Sequence, residues 1–106
     1  MTEPAALGLL GLAARARRLL VGTGAVREGL QGNRVAVVVI ARDRSPRTAE
    51  KVERLARARG IPVVAGPTAV ELGRRLGRGA VQAAGLTDAE MARGLLAKLE
   101  SGTAGG

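Results

Sequence analysis

"VAVVVIA" (residues 35–41) is an unbroken run of β-branched and small apolar residues with no polar position to face water. Alternation of apolar and polar residues would mark a strand wetted on one side. Its absence marks a strand covered on both faces, as in a sheet lying between helices. This run therefore places the chain in the α/β class and sets what to look for on either side of it.

Helical and extended segments alternate outward from the run. On the N-terminal side, Thr2 is placed to cap a first helix with Pro4 in its first turn, running to about Arg17. Leu19–Val21 reads as a short strand, Gly24 to about Gln31 as a second helix, and Gly32-Asn33 as the turn into the central strand. On the C-terminal side, Ser45 and Pro46 form a cap and first position for a third helix. Its Ala49, Val52, Leu55 and Ala56 share one face, while Arg47, Lys51, Arg54 and Arg57 lie mostly elsewhere. Gly60 ends that helix, and "IPVVA" (61–65) is a further strand. Thr68 with Glu71 forms a capping box for a fourth helix ending near Leu76-Gly77. "AVQAAG" (80–85) is the last strand, and Thr87 with Glu90 is a capping box for the last helix. The expected architecture is a three-layer α/β/α sandwich around a four-stranded, mostly parallel or mixed sheet. It forms one domain over residues 1–100, with "SGTAGG" (101–106) as a disordered tail.

Composition narrows the chemistry. Among the 106 residues are no Cys, no His and no aromatic side chain. Thiolate catalysis, disulfides, zinc–thiolate sites and the commonest general base are thereby excluded. Aromatic platforms that hold single-stranded bases in RRM and OB domains are excluded too. The only serines, Ser45 and Ser101, fall at a helix cap and in the tail, so no catalytic residues are assigned and no cofactor is expected. Glu28 and Asp43 could meet above the sheet edge as a carboxylate pair for Mg²⁺. Such residues more often pair with neighbouring arginines, here Arg27, Arg42 or Arg44, so no metal site is assigned.

The formal charge is +8, from 17 Lys+Arg against 9 Asp+Glu. Arginine's share, 15 of the 17, is what codon bias in a G+C-rich genome would tend to produce, but the shortage of carboxylates does not follow from such bias. The excess favours a polyanionic partner. The apolar stretch from Ala5 to Ala14 is shorter than the roughly 20 residues of a membrane span, and its flanking charges are reversed relative to a secretory signal. A cytoplasmic protein that does not engage membranes is expected, and nothing demands more than a monomer.

Three basic groups accompany glycine-rich turns. "LLVGTGAVREGL" (19–30) leads from a strand through Gly22-Thr23-Gly24 into a helix carrying Arg27. It lacks the third glycine of a dinucleotide fingerprint and the Gly-Lys-Ser/Thr of a Walker loop, so it is not a nucleotide loop. Arg42 and Arg44 follow the central strand, and Arg74, Arg75 and Arg78 punctuate "LGRRLGRGAV" (72–81). In a sheet whose strands run one way, the first two groups share an edge; spacing alone does not place the third. Gly22, Gly24, Gly77 and Gly79 would let backbone approach a phosphate closely, or serve as caps and tight turns. Arg47, Arg54, Arg57 and Arg59 read as solvated helix faces.

"LGLLGLAARARRLLVGTGAV" (7–26), "VVVIARDRSPRTAEKVERLARARGIPVV" (37–64) and "ELGRRLGRGAV" (71–81) together resemble the L-seven-Ae ribosomal protein family, and most closely its small bacterial YlxQ-type members. The similarity spans about residues 5–95, in order and at the family's spacing. It implies an α/β/α sandwich that binds structured RNA, often a kink-turn, in or around the ribosome, with rRNA as the expected partner. It also implies that Gly22, Thr23, Gly24, Ala25, Arg27 and Glu28 grip the RNA backbone. The same resemblance puts Leu76 to Val81 (Gly77, Arg78, Gly79 and Ala80 among them) near a bulged nucleotide, with Arg42 and Arg44 alongside. Kink-turn binders carry Asn-Glu where this chain has Gly24-Ala25, and lysine where it has Glu28. The resemblance thus carries over the backbone grip and not the side chains that read sheared G·A pairs. A protein–protein adaptor on the same fold, meeting an acidic partner, is the alternative.

Overall fold

The computed structural model describes residues 4–105, so the expected cap at Thr2 lies outside the described residues. The elements in chain order are α1 (Pro4–Arg15), β1 (Leu19–Val21), α2 (Thr23–Gln31) and β2 (Val37–Ile40). They continue with α3 (Pro46–Thr48), a π turn (Ala49–Glu53), α4 (Arg54–Ala58), β3 (Val63–Ala65), α5 (Ala69–Arg75), β4 (Ala83–Leu86) and α6 (Ala89–Gly105). α6 extends into residues 101–105, where the sequence suggests a tail, and Gly106 lies outside the described residues.

The four strands form one mixed sheet in the order β1-β4-β2-β3. β4 runs antiparallel to both β1 and β2, whereas β2 and β3 are parallel. Val37 to Ile40 are all at most 1 % exposed, as an apolar run without alternation requires. Their side chains divide between two cores. Val37 and Val39 join Leu7, Leu10, Leu72, Leu86 and Leu95 from α1, α5, β4 and α6. Val38 joins Val26, Leu30, Val52 and Ala56 from α2, the π turn and α4. The layers are therefore α1, α5 and α6 on one face and, on the other, α2 with the third helical segment formed by α3, the π turn and α4.

Two expected caps are present. Ser45 Oγ accepts from Thr48 N–H and Thr68 Oγ1 from Glu71 N–H. The cap of α6 lies one residue later than expected: Asp88 Oδ1, not Thr87, accepts from Met91 N–H at 3.0 Å. Thr87 instead donates its backbone N–H to the Arg18 carbonyl, which ties it to β1. The last strand begins at Ala83 rather than Ala80, because residues 81 and 82 spend their backbone groups on α5 and on the β2 exit (Val81 N–H to Ala69 O, Ala41 N–H to Gln82 O). The expected third helix is interrupted by the π turn, which widens the coil over Ala49–Glu53.

α1, α2, α4 and α5 all end in the same hydrogen-bonded turn, with a left-handed residue just past the helix: Arg17, Asn33, Gly60 and Gly77. Gly77 is thus a cap, as its sequence context suggests.

Candidate nucleic-acid interface

Strand direction decides what gathers where. β1, β2 and β3 all point the same way, so the turns after them, at Gly22, Ala41 and Gly66, share one edge of the sheet. β4 runs the other way and starts from that same edge, which brings the end of the α5–β4 loop to it. Spacing could not place the third basic group; the antiparallel strand does so in part.

Hydrogen bonds bind these segments into one surface. Gly22 N–H donates to Ala83 O at 2.8 Å, and Gly66 N–H to Ile40 O at 2.7 Å. Ser45 N–H donates to Gln82 Oε1 at 2.7 Å, and Ala69 N–H to Asp43 Oδ1 at 2.8 Å. Thr23 and Thr48 meet hydroxyl to hydroxyl at 3.1 Å, joining α2 to the third helical segment. Gln82 and Thr48 have no charge or glycine signature, so nothing in the sequence alone marks them as the struts of this edge.

Gly22 has φ 102° and ψ 152°, a region open essentially only to glycine. That conformation turns the chain from β1 straight into α2, whose N-terminus has no side-chain cap. The N–H groups of a helix's first turn have no acceptor within the helix, so this end of α2 can receive an anion. Gly24, Ala25, Arg27 and Glu28 are exposed around it.

The arginines separate into free and engaged ones. Arg27, Arg42 and Arg78 are exposed and have no ion-pair partner among the described residues. Arg44 reaches both carboxylate oxygens of Glu53, at 3.2 and 3.0 Å, and Arg57 reaches the same carboxylate from the other side. Arg44 therefore pins its loop to the helix, and the pairing of a loop arginine with Asp43 considered from sequence does not form. Burial pushes the Glu53 carboxyl up. Hydrogen bonds from Arg57 and Arg44, with their charges, outweigh this and hold it below its ordinary value.

Loop 77–81 folds back along α5. Arg78 N–H donates to Gly73 O, and a Cβ on Gly73 would overlap the carbonyl oxygen of Gly79. Gly77, Arg78, Gly79 and Ala80 are exposed, whereas the Val81 side chain is 5 % exposed and belongs to the core. Arg74 and Arg75 sit at the far end of α5, about 9 Å of helix rise from Ala69. Arg74 is paired with Glu71.

Beside the α2 N-terminus lies a groove of about 610 Å³ between α2 and the third helical segment. Thr23, Gly24, Arg27 and Glu28 line one wall, and Ser45, Arg47 and Lys51 the other. Arg47, expected on a solvated helix face, is exposed and also lines this groove, and Lys51 lines it half-buried. Both reach it because the third helical segment packs beside α2, with a π turn that departs from the 3.6-residue period. Among the described residues, no group of three or more His, Cys, Asp or Glu could hold a metal, and no helix is long and apolar enough to cross a membrane.

Comparison with known proteins gives this edge a context. A solved structure of a protein with unknown function from Bacillus halodurans C superposes with a TM-score of 0.83 at 36 % identity, covering 90 % of this chain and 96 % of that one. The Giardia lamblia 15.5kD RNA binding protein superposes with a TM-score of 0.76 at 18 % identity, covering 90 % of this chain and 84 % of its own. Among curated proteins none matches. The family model described as the ribosomal protein L7Ae/L30e/S12e/Gadd45 family matches residues 5–95. The chain belongs to that family.

Proposed function

We propose that the protein is a non-enzymatic, monomeric, cytoplasmic binder of structured RNA, acting on rRNA in or around the ribosome as a YlxQ-type member of its family. The observation that carries this reading is the edge itself. An uncapped helix N-terminus behind Gly22, the free cations Arg27 and Arg42, and the Arg47–Lys51 wall of the groove lie together there, and the α5–β4 loop that carries Arg78 ends beside them. Family membership and the RNA-binding neighbour support the same conclusion.

Each part has a role that its chemistry fits. Backbone N–H groups at Thr23, Gly24 and Ala25 meet phosphate oxygens, and the arginines add charge-assisted contacts. Gly77, Gly79 and Ala80 let the α5–β4 loop approach a nucleotide closely. Arg44 supports from behind through Glu53. Phosphate contacts position a nucleic acid without reading its bases. Since Gly24 and Ala25 carry no hydrogen-bonding side chain and Glu28 is anionic, this edge recognises RNA shape and backbone rather than the G·A pairs of a kink-turn.

Fluorescence anisotropy with a kink-turn RNA and a length-matched plain duplex, across a salt series, tests this. Salt-steep binding to both within a few-fold is the expected result. A large preference for the kink-turn would overturn the specificity claim. Absence of RNA binding, with saturable capture by an acidic protein instead, would favour the adaptor reading.

A further inference from the structure

The topology that assembles one basic edge assembles a second at the other end of the sheet. β1, β2 and β3 each begin there, and each is preceded by a helix ending in the same turn with a left-handed residue. Those turns are Arg17-Arg18 before β1, Asn33-Arg34 before β2 and Arg59-Gly60 before β3. Arg15, Arg17, Arg18, Arg34 and Arg59 are all exposed. Leu19 and Val37 both pair with Leu86, so Arg18 and Arg34 approach the sheet from strands two spacings apart, about 10 Å. Arg59 donates to Asn33 Oδ1 at 2.9 Å, which joins the second turn to the third. Among the described residues, the acids at this end are committed: Asp88 caps α6, and Glu90 pairs with Arg93.

Three helix C-termini converge here, and a cation at each offsets the partial negative charge of the helix end. That accounts for a basic residue per turn but not for Arg17. With φ 59°, Arg17 occupies the conformation where glycine is favoured, although Arg15 already supplies a cation in the last turn of α1. A chain with 16 glycines keeps arginine at this position. Such local strain points to a use for the side chain.

We infer that this second edge binds the phosphate backbone of another RNA segment, so that the protein bridges two segments held at opposite ends of the sheet. The body measures 33 × 26 × 26 Å, so a duplex seated on the first edge leaves the second facing away from it. This inference rests on the reading of the first edge as an RNA surface.

The test uses the full chain with two short RNA duplexes, one labelled with a donor and the other with an acceptor fluorophore. Sedimentation under the same conditions establishes that the protein is monomeric. Wild type should give energy transfer between the duplexes. The triple variant Arg17→Gly, Arg18→Gln, Arg34→Gln should lose that signal while still binding one duplex. Arg17→Gly relieves strain and the other two positions are exposed, so the variant folds; a melting temperature at or above wild type verifies this. The variant Arg27→Gln, Arg42→Gln, Arg78→Gln should also lose bridging while keeping one duplex, held by the second edge. Binding of a single duplex by wild type, unaffected by the Arg17/Arg18/Arg34 changes, would overturn the second edge and leave the first intact. Loss of all binding on changing the second edge alone would instead overturn the assignment of the first.

Discussion

Gly73→Ala should destabilise the protein although it places a better helix former inside a helix. In an open helix interior, glycine to alanine is favourable by roughly 0.5–1 kcal/mol. At Gly73 the added Cβ would overlap the Gly79 carbonyl oxygen, with the Gly79 carbonyl carbon at 2.7 Å and Ala80 Cα at 3.2 Å. These are backbone atoms and cannot swing aside as a side-chain tip would. Either α5 shifts or loop 77–81 lifts, putting at risk the bonds from Arg78 N–H to Gly73 O and from Val81 N–H to Ala69 O. Overpacking of this kind costs about 1–3 kcal/mol, and each weakened hydrogen bond adds about 0.5–1.5 kcal/mol. After the helix-propensity gain, the net loss centres on about 2–3 kcal/mol, lowering the melting temperature by about 8–24 °C. Gly11→Ala in α1 is the control, since nothing lies within 4 Å of its added Cβ. It should raise the melting temperature by about 2–8 °C. Thermal unfolding by circular dichroism reads both variants. A neutral or stabilising Gly73→Ala would refute the claim that this glycine sets the loop against α5.

Arg17→Gly should raise the melting temperature by about 4–8 °C by removing roughly 1 kcal/mol of left-handed strain; a lower value would mean that the arginine side chain makes a compensating contact. Gly22→Ala should cost about 1–3 kcal/mol through backbone conformation alone, because nothing lies within 4 Å of the added Cβ, and should weaken RNA binding. An unchanged denaturation midpoint would contradict it. Glu53→Gln tests the Arg44–Glu53–Arg57 cluster by its pH dependence. A carboxyl held below its ordinary value stabilises the fold above the unfolded pKa, about 4.3 for glutamate, and loses that contribution as pH falls through the folded value. The melting-temperature deficit of the variant should therefore be full at neutral pH and shrink in acid. A deficit unchanged by pH would sink the argument.

The layered fold was legible because burial leaves a direct trace in composition. Val37–Ile40 have no polar member, and the Ser45 and Thr68 caps are local chemistry. Where the reading slipped, the deciding contact lies far along the chain. Thr87 and Asp88 are both competent caps, and Thr87 fails because its neighbourhood is drawn to β1 through Arg18. Gly73 and Gly11 look alike in a helical pattern, and only the returning loop tells them apart. Arg44 and Arg42 are two residues apart with the same chemistry. The position of Glu53 nine residues beyond Arg44 engages one and leaves the other free. Arg47 and Lys51 join the groove through packing beside α2 and a π turn that no 3.6-residue pattern announces.

The central claim, that the edge after β1, β2 and β3 holds RNA by its phosphates, is tested most directly by a salt slope. Binding of one short RNA duplex would be followed by anisotropy from low to physiological salt, with and without Arg27→Gln, Arg42→Gln, Arg78→Gln, both in a chain carrying Arg17→Gly, Arg18→Gln, Arg34→Gln so that only the first edge is read. Each phosphate contact contributes about −0.9 to the slope of log affinity against log salt, so the Arg27, Arg42 and Arg78 changes should flatten it by about 2–3. An unchanged slope in a folded variant would mean that RNA, if bound, is held elsewhere on the molecule.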